Sequence, residues 1–109
     1  MLRDETKELK EILANENKGL TFEIRFPNNV TYYIFDLDCF IGFFDKEGIG
    51  HLIGDRRESY IEMLERCEDK IPYKKTLIRL IKDGILEEMF NEKKSVCEIK
   101  PLEYEKEIC

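Results

Sequence analysis

The chain has no tryptophan, a single histidine (His51) and only two serines, Ser59 and Ser95. Any imidazole acid/base chemistry must therefore run through His51, and a serine-based catalytic set has little to draw on. The six glycines are scattered and form no glycine-rich phosphate loop. Apolar runs are short. The longest, such as Tyr32 to Phe35 and Phe40 to Phe44, fall far below the roughly 20 residues that cross a bilayer. No hydrophobic targeting segment follows Met1-Leu2-Arg3-Asp4-Glu5. The expectation is a cytoplasmic protein with no membrane partner.

Charged residues make up 39% of the 109 positions, well above the roughly 25% usual in globular proteins. The 42% hydrophobic and 11% aromatic content is nevertheless too high for a disordered chain, and the length suits one domain spanning 1–109. The net charge of −6 opposes binding of the molecule as a whole to nucleic acid. One segment departs from that average: 70–82 holds Lys70, Lys74, Lys75, Arg79 and Lys82 with no acidic residue, whereas 83–109 has eight acidic and four basic residues. Cys39, Cys67, Cys97 and Cys109 show no C-x-x-C spacing, so they read as reduced thiols rather than a disulfide framework or a metal site.

Helix formers fill the N-terminal segment, where Leu9, Ile12 and Leu13 make an apolar stripe and Gly19 a stop, which places a helix within 1–18. Thr21 to Phe26 alternates with period two, Pro27-Asn28-Asn29 supplies a turn, and Val30 to Leu37 resumes. Pairing Phe26 with Val30 sets Ile24 against Tyr32 and Phe22 against Ile34, giving one apolar face. A second ribbon joins Phe40–Phe44 to Ile49–Ile53 through Asp45-Lys46-Glu47-Gly48. Asp55-Arg56-Arg57-Glu58 has the form of a capping box, and Pro72 separates one helix from the next. The expected fold is thus α+β: an antiparallel meander of about four strands over 20–54, flanked by the N-terminal helix and by two helices over 55–91. An acidic extension over 92–109 follows, with a strand as one option. At Gly84 two paths are open: one helix running through to Asn91, or a hairpin pairing 85–90 with 96–102.

Four features could carry function. Ile34-Phe35-Asp36-Leu37-Asp38 resembles the first motif of the haloacid dehalogenase family, which implies Asp36 as nucleophile and Asp38 as acid/base on magnesium-dependent phosphoryl transfer. Cys39-Phe40 departs from that family's pattern and its later motifs are missing, so the expectation is two aspartates ending a strand, with no catalytic residue, cofactor or metal. His51, set opposite Gly42 by the proposed ribbon register, outlines a small-ligand pocket where the glycine leaves room. Lys75, Arg79 and Lys82 share one helical face, suited to phosphate or an acidic partner. Leu80 to Leu86 followed by a hairpin resembles the recognition helix and wing of a winged-helix nucleic-acid binder.

The fourth feature is the second face of the meander. Tyr33, Phe35, Ile41, Phe43 and Leu52 are expected to point away from Phe22, Ile24, Tyr32 and Ile34, forming an aromatic patch for a protein partner or a second copy. The composite expectation is a small acidic, non-catalytic interaction protein that masks a macromolecule. Inhibitors, immunity proteins, antitoxins and phage anti-defence proteins share this general character, an analogy of class rather than motif.

Overall fold

A computed structural model of the chain describes residues 2–15, 21–35 and 39–99. The elements in chain order are α1 (Thr6–Ala14), β1 (Thr21–Arg25), β2 (Thr31–Phe35), β3 (Phe40–Phe44), β4 (Gly50–Gly54), α2 (Tyr60–Arg66), α3 (Lys74–Lys82), α4 (Ile85–Asn91) and β5 (Val96–Glu98). The fold is α+β, with five strands in the order β4-β3-β2-β1-β5 and four helices among the described residues. Neighbours among β1 to β4 are antiparallel, and β5 adds to β1 in parallel.

The β1–β2 register is the expected one. Ile24 faces Tyr32, Phe22 faces Ile34, and Phe26 N–H donates to Val30 O at 2.7 Å. Asn28 and Asn29 hold the turn at φ 61° and 62°, a left-handed backbone that asparagine tolerates better than most residues. Phe26 stacks on Tyr73 with centroids 4.9 Å apart, and Tyr32 Oη donates to Pro72 O, which ties this turn to the α2–α3 connection. The core lies between this face of the sheet and helices α2 to α4. Tyr32, Ile34, Ile41, Phe43, Met63, Leu64, Leu77 and Met89 are all buried there.

Several boundaries differ from expectation for local reasons. Helix α2 begins after Ser59, whose Oγ accepts from Glu62 N–H at 3.2 Å. The Asp55 carboxylate instead accepts from Arg57 N–H at 3.0 Å and closes a turn ahead of the helix, so Ser59-x-x-Glu62 holds the capping position. At Gly84 neither expected path is taken: φ is 88°, α3 stops at Lys82, and a separate α4 starts at Ile85. Residues 85–90 are therefore helical, and 96–98 pairs with β1. The wing-like hairpin is not formed. No helix among the described residues is long and apolar enough to cross a membrane.

Candidate functional site

Two registers decide which side chains reach the second face. In β3 the pairs are Tyr32 with Phe43, Tyr33 with Gly42, Ile34 with Ile41 and Phe35 with Phe40. Ile41 and Phe43 therefore share the core face with Tyr32 and Ile34, with 0% and 1% of their surface exposed, and the expected five-residue patch is divided. Tyr33, Phe35 and Leu52 remain on the second face, joined by Phe40 and Phe44.

On that face an aromatic ring stands opposite each of three glycines: Tyr33 with Gly42, Phe44 with Gly50 and Phe40 with Gly54. The missing side chains leave a groove, and α1 lies in it. A Cβ on Gly42 would come within 2.6 Å of Leu9 Cδ1, and one on Gly50 within 3.0 Å of Thr6 Cα. Such close approach is what glycine permits on a strand. Helix α1 packs on the β4 side of the sheet. Toward β1 the face carries Tyr33, half-buried and edge-on to Phe44 at 6.1 Å, beside a row of charges. Arg25 Nη2 lies 2.8 Å from Glu23 Oε2, and Arg25 Nη1 lies 3.5 Å from Glu98 on β5. Burial, and then the Glu23 carboxylate, push the Tyr33 phenol above its ordinary 10.0, so it stands as a neutral donor in this row. Glu23, Arg25, Glu98 and Phe44 escape a reading of apolar pattern alone. The period-two alternation of Glu23 and Arg25 was the available signal. Phe90 on α4, 54% exposed, is the largest apolar side chain left open among the described residues.

His51 does not meet Gly42. It pairs with Phe43, while Gly42 pairs with Leu52, a shift of one residue from the expected register: His51 stays on the core face and Gly42 lies on the second face, opposite to its expected side. The cause is Asp45. Its Oδ1 accepts from Glu47 N–H and Ile49 N–H, both at 3.0 Å, and its own N–H donates to Ile49 O at 2.9 Å. Asp45 and Ile49 are thus bonded just beyond the ends of β3 and β4, and the turn between them is closed by Gly48 at φ 82°. Leu9, Leu52 and Phe35 occupy the space beside Gly42, so no pocket opens between Gly42 and His51. His51 is 7% exposed, with Nδ1 2.8 Å from Arg3 O and Nε2 2.8 Å from Asp45 Oδ2.

The hydrogen bond from His51, followed by those from the Ile49 and Glu47 amides, holds the Asp45 carboxyl below its ordinary 3.8. A depressed carboxyl contributes stability that is fully present above its unfolded value and is lost as the pH falls through its folded one. In acid unfolding followed by circular dichroism, wild type should lose stability more steeply below pH 3.8 than Asp45→Asn. Identical acid limbs would show that the carboxylate has no such role.

Lys75, Arg79 and Lys82 are exposed along α3, on the side opposite the buried Leu77. Lys82 Nζ lies 3.6 Å from Glu65 on α2, so the stripe ends in an ion pair rather than in open positive charge. A cavity of about 620 Å³ opens elsewhere, between Leu2, Arg3 and Glu5 on one side and Arg66 and Cys67 on the other, floored by Ile53. Cys39, Cys67 and Cys97 are free thiols, and no cluster of three metal-ligating side chains occurs among the described residues. Asp36 and Asp38 lie outside the described residues. Comparison of the chain with models of protein families, with curated proteins and with solved structures found no match.

Proposed function

We propose that this chain is a non-catalytic interaction protein that binds and masks a protein partner, using the second face of its sheet over β1 and β2. The observation that carries the reading is the division of that face. α1 fills the glycine groove on the β3–β4 side, while Tyr33, buttressed by Phe44 and flanked by Glu23, Arg25 and Glu98, stays accessible toward β1. A rigid aromatic side chain inside a ring of charged groups is the composition of an interface centre and its rim. Arg25 is held by two carboxylates, so its guanidinium is already oriented before a partner arrives, which lowers the ordering cost of binding. The acidic balance of the whole molecule favours a partner with a basic surface. This is the mode of action of inhibitors and immunity proteins, which work by covering a site on another macromolecule.

The paired substitution Tyr33→Ala and Arg25→Glu tests it. Both side chains are partly exposed, so the variant should fold with a thermal midpoint close to wild type. A partner isolated on the wild-type protein should bind the variant roughly 1,000-fold more weakly, since each of the two sites is of the type that costs about 2 kcal/mol or more at an interface centre. A partner bound equally well by both proteins would overturn the reading. Sedimentation equilibrium identifies the case in which the partner is a second copy: wild type dimeric, variant monomeric.

A further inference from the structure

Residues 3–6 run as a strap along the open edge of β4. Glu5 N–H donates to Gly50 O at 2.8 Å, Gly50 N–H to Thr6 Oγ1 at 2.8 Å, and Leu52 N–H to Glu5 Oε2 at 3.1 Å. These are the edge groups that would otherwise stand ready to pair with another strand. Ahead of them, Arg3 O lies 2.8 Å from His51 Nδ1, and the other ring nitrogen, Nε2, lies 2.8 Å from Asp45 Oδ2.

Both partners of the ring are acceptors. A carbonyl oxygen carries no proton, and neither does an ionised carboxylate, so only an imidazolium can donate to both. A neutral ring beside an ionised Asp45 keeps one bond and turns a lone pair on the other oxygen, in a place where the ring is 7% exposed and water cannot easily substitute. The geometry on both sides of the ring is thus the one that a doubly donating imidazole satisfies.

We propose that His51 is a proton-dependent latch for the N-terminal strap: protonated, it pins Arg3 O and keeps the β4 edge covered, and on giving its proton to solvent it releases Arg3 O so that the strap lifts from Gly50 and Leu52. The charged groups around the latch come from three sides. Asp4, Arg3 and Glu5 belong to the strap, Asp45 to the β3–β4 turn, and Arg66, Glu68 and Asp69 at the end of α2 face Arg3 and Glu5 across the cavity. The Phe43 ring, 5.1 Å from the imidazole, closes the remaining side without charge. Lifting the strap widens the mouth of that cavity and exposes Gly50 and Leu52 backbone groups, a surface that can accept an extended segment by strand addition.

Amide hydrogen exchange on the full chain tests the latch, read as protection factors so that the intrinsic pH dependence of exchange is removed. From about pH 5 to about pH 8, the range in which imidazoles titrate, protection at Glu5, Gly50 and Leu52 should fall about tenfold, the consequence of losing one buried hydrogen bond. Amides of the central strand β2 should hold their protection over the same range. Asp45→Asn gives the decisive control. Its side-chain oxygen can keep the bonds from Glu47 and Ile49, while its amide can donate to Nε2, so a neutral ring retains both contacts and the pH response should vanish. Protection at the three amides that is independent of pH, a fall of equal size in β2, or a fall that persists in Asp45→Asn would each overturn the latch. Should Asp45→Asn fail to fold, wild type still decides: the loss of protection must track the ¹⁵N shifts of the His51 ring, and a mismatch of the two midpoints overturns it.

Discussion

Phe43→Glu should leave the chain unfolded at 25 °C, whereas Tyr33→Glu, one residue along the cross-strand neighbour, should fold. Phe43 is 1% exposed and packs between Tyr32 at 5.3 Å and His51 at 5.1 Å. Removing a buried phenylalanine ring costs about 3 to 5 kcal/mol, and a carboxylate in its place adds a desolvation penalty of several kcal/mol more. Against a total stability of about 5 to 15 kcal/mol for a domain of ordinary size, little or nothing remains. The obvious rescue, pairing with His51 across the strands, is closed because both ring nitrogens already have partners. Phe43→Leu keeps most of the apolar contact and should cost about 1 to 2 kcal/mol. Urea unfolding followed by circular dichroism measures all three variants. A folded Phe43→Glu beside an unfolded Tyr33→Glu would mean that the sidedness of β2 and β3 is reversed.

That contrast also shows where sequence patterning stops being informative. In β1 and β2 the turn residues Pro27-Asn28-Asn29 fix the loop length, and polar Glu23 and Arg25 alternate with apolar Phe22 and Ile24, so register and facing both follow from the sequence. β3 reads Phe-Ile-Gly-Phe-Phe, in which both faces are apolar or empty. Period-two reasoning cannot choose between two parities when neither is polar, and Ile41 and Phe43 are placed by packing under α2 and α3 instead. The four residues before Phe40 add no constraint from the sequence, and Cys39 takes a left-handed backbone at φ 50° that its residue type does not advertise. At the next turn a single side chain is decisive: Asp45 caps two amides, its N–H donates to Ile49 O, and His51 is set opposite Phe43 instead of Gly42.

The same logic governs the ends of elements. Asp55 and Ser59 each precede a glutamate by three residues, so both satisfy the capping pattern. Only tertiary structure selects Ser59, with Tyr60 Oη donating to Phe35 O at 2.9 Å and Met63 and Leu64 turned into the core. β5 is three residues long and flanked by charge, too short to show a period. Its parallel pairing with β1 is a long-range event with no local signal. The candidate surface was accordingly half legible: Tyr33, Phe35 and Leu52 follow from alternation, whereas the charge row closed by Glu98 requires β5 to be in place.

Leu9→Ala should cost about 2 to 5 kcal/mol, an unusually large effect for a helix of nine residues on one side of a sheet. Leu9 is the only fully buried side chain of α1, and its two methyl groups fill the space left by Gly42 and Gly50. Gly42→Ala should also be destabilising, because the new methyl would lie 2.6 Å from Leu9 Cδ1 and α1 would have to shift. If the glycine is there to admit the leucine, the two substitutions must interact. In the double variant the alanine methyl at 42 enters space that Cδ1 has vacated, so the pair should cost less than the sum of the singles by about 1 to 2 kcal/mol. Urea unfolding of wild type, both singles and the double closes this cycle. Strictly additive costs would show that α1 is held by the strap residues and not by the glycine groove, and a double variant worse than the sum would mean that the alanine at 42 clashes with the strand pair itself.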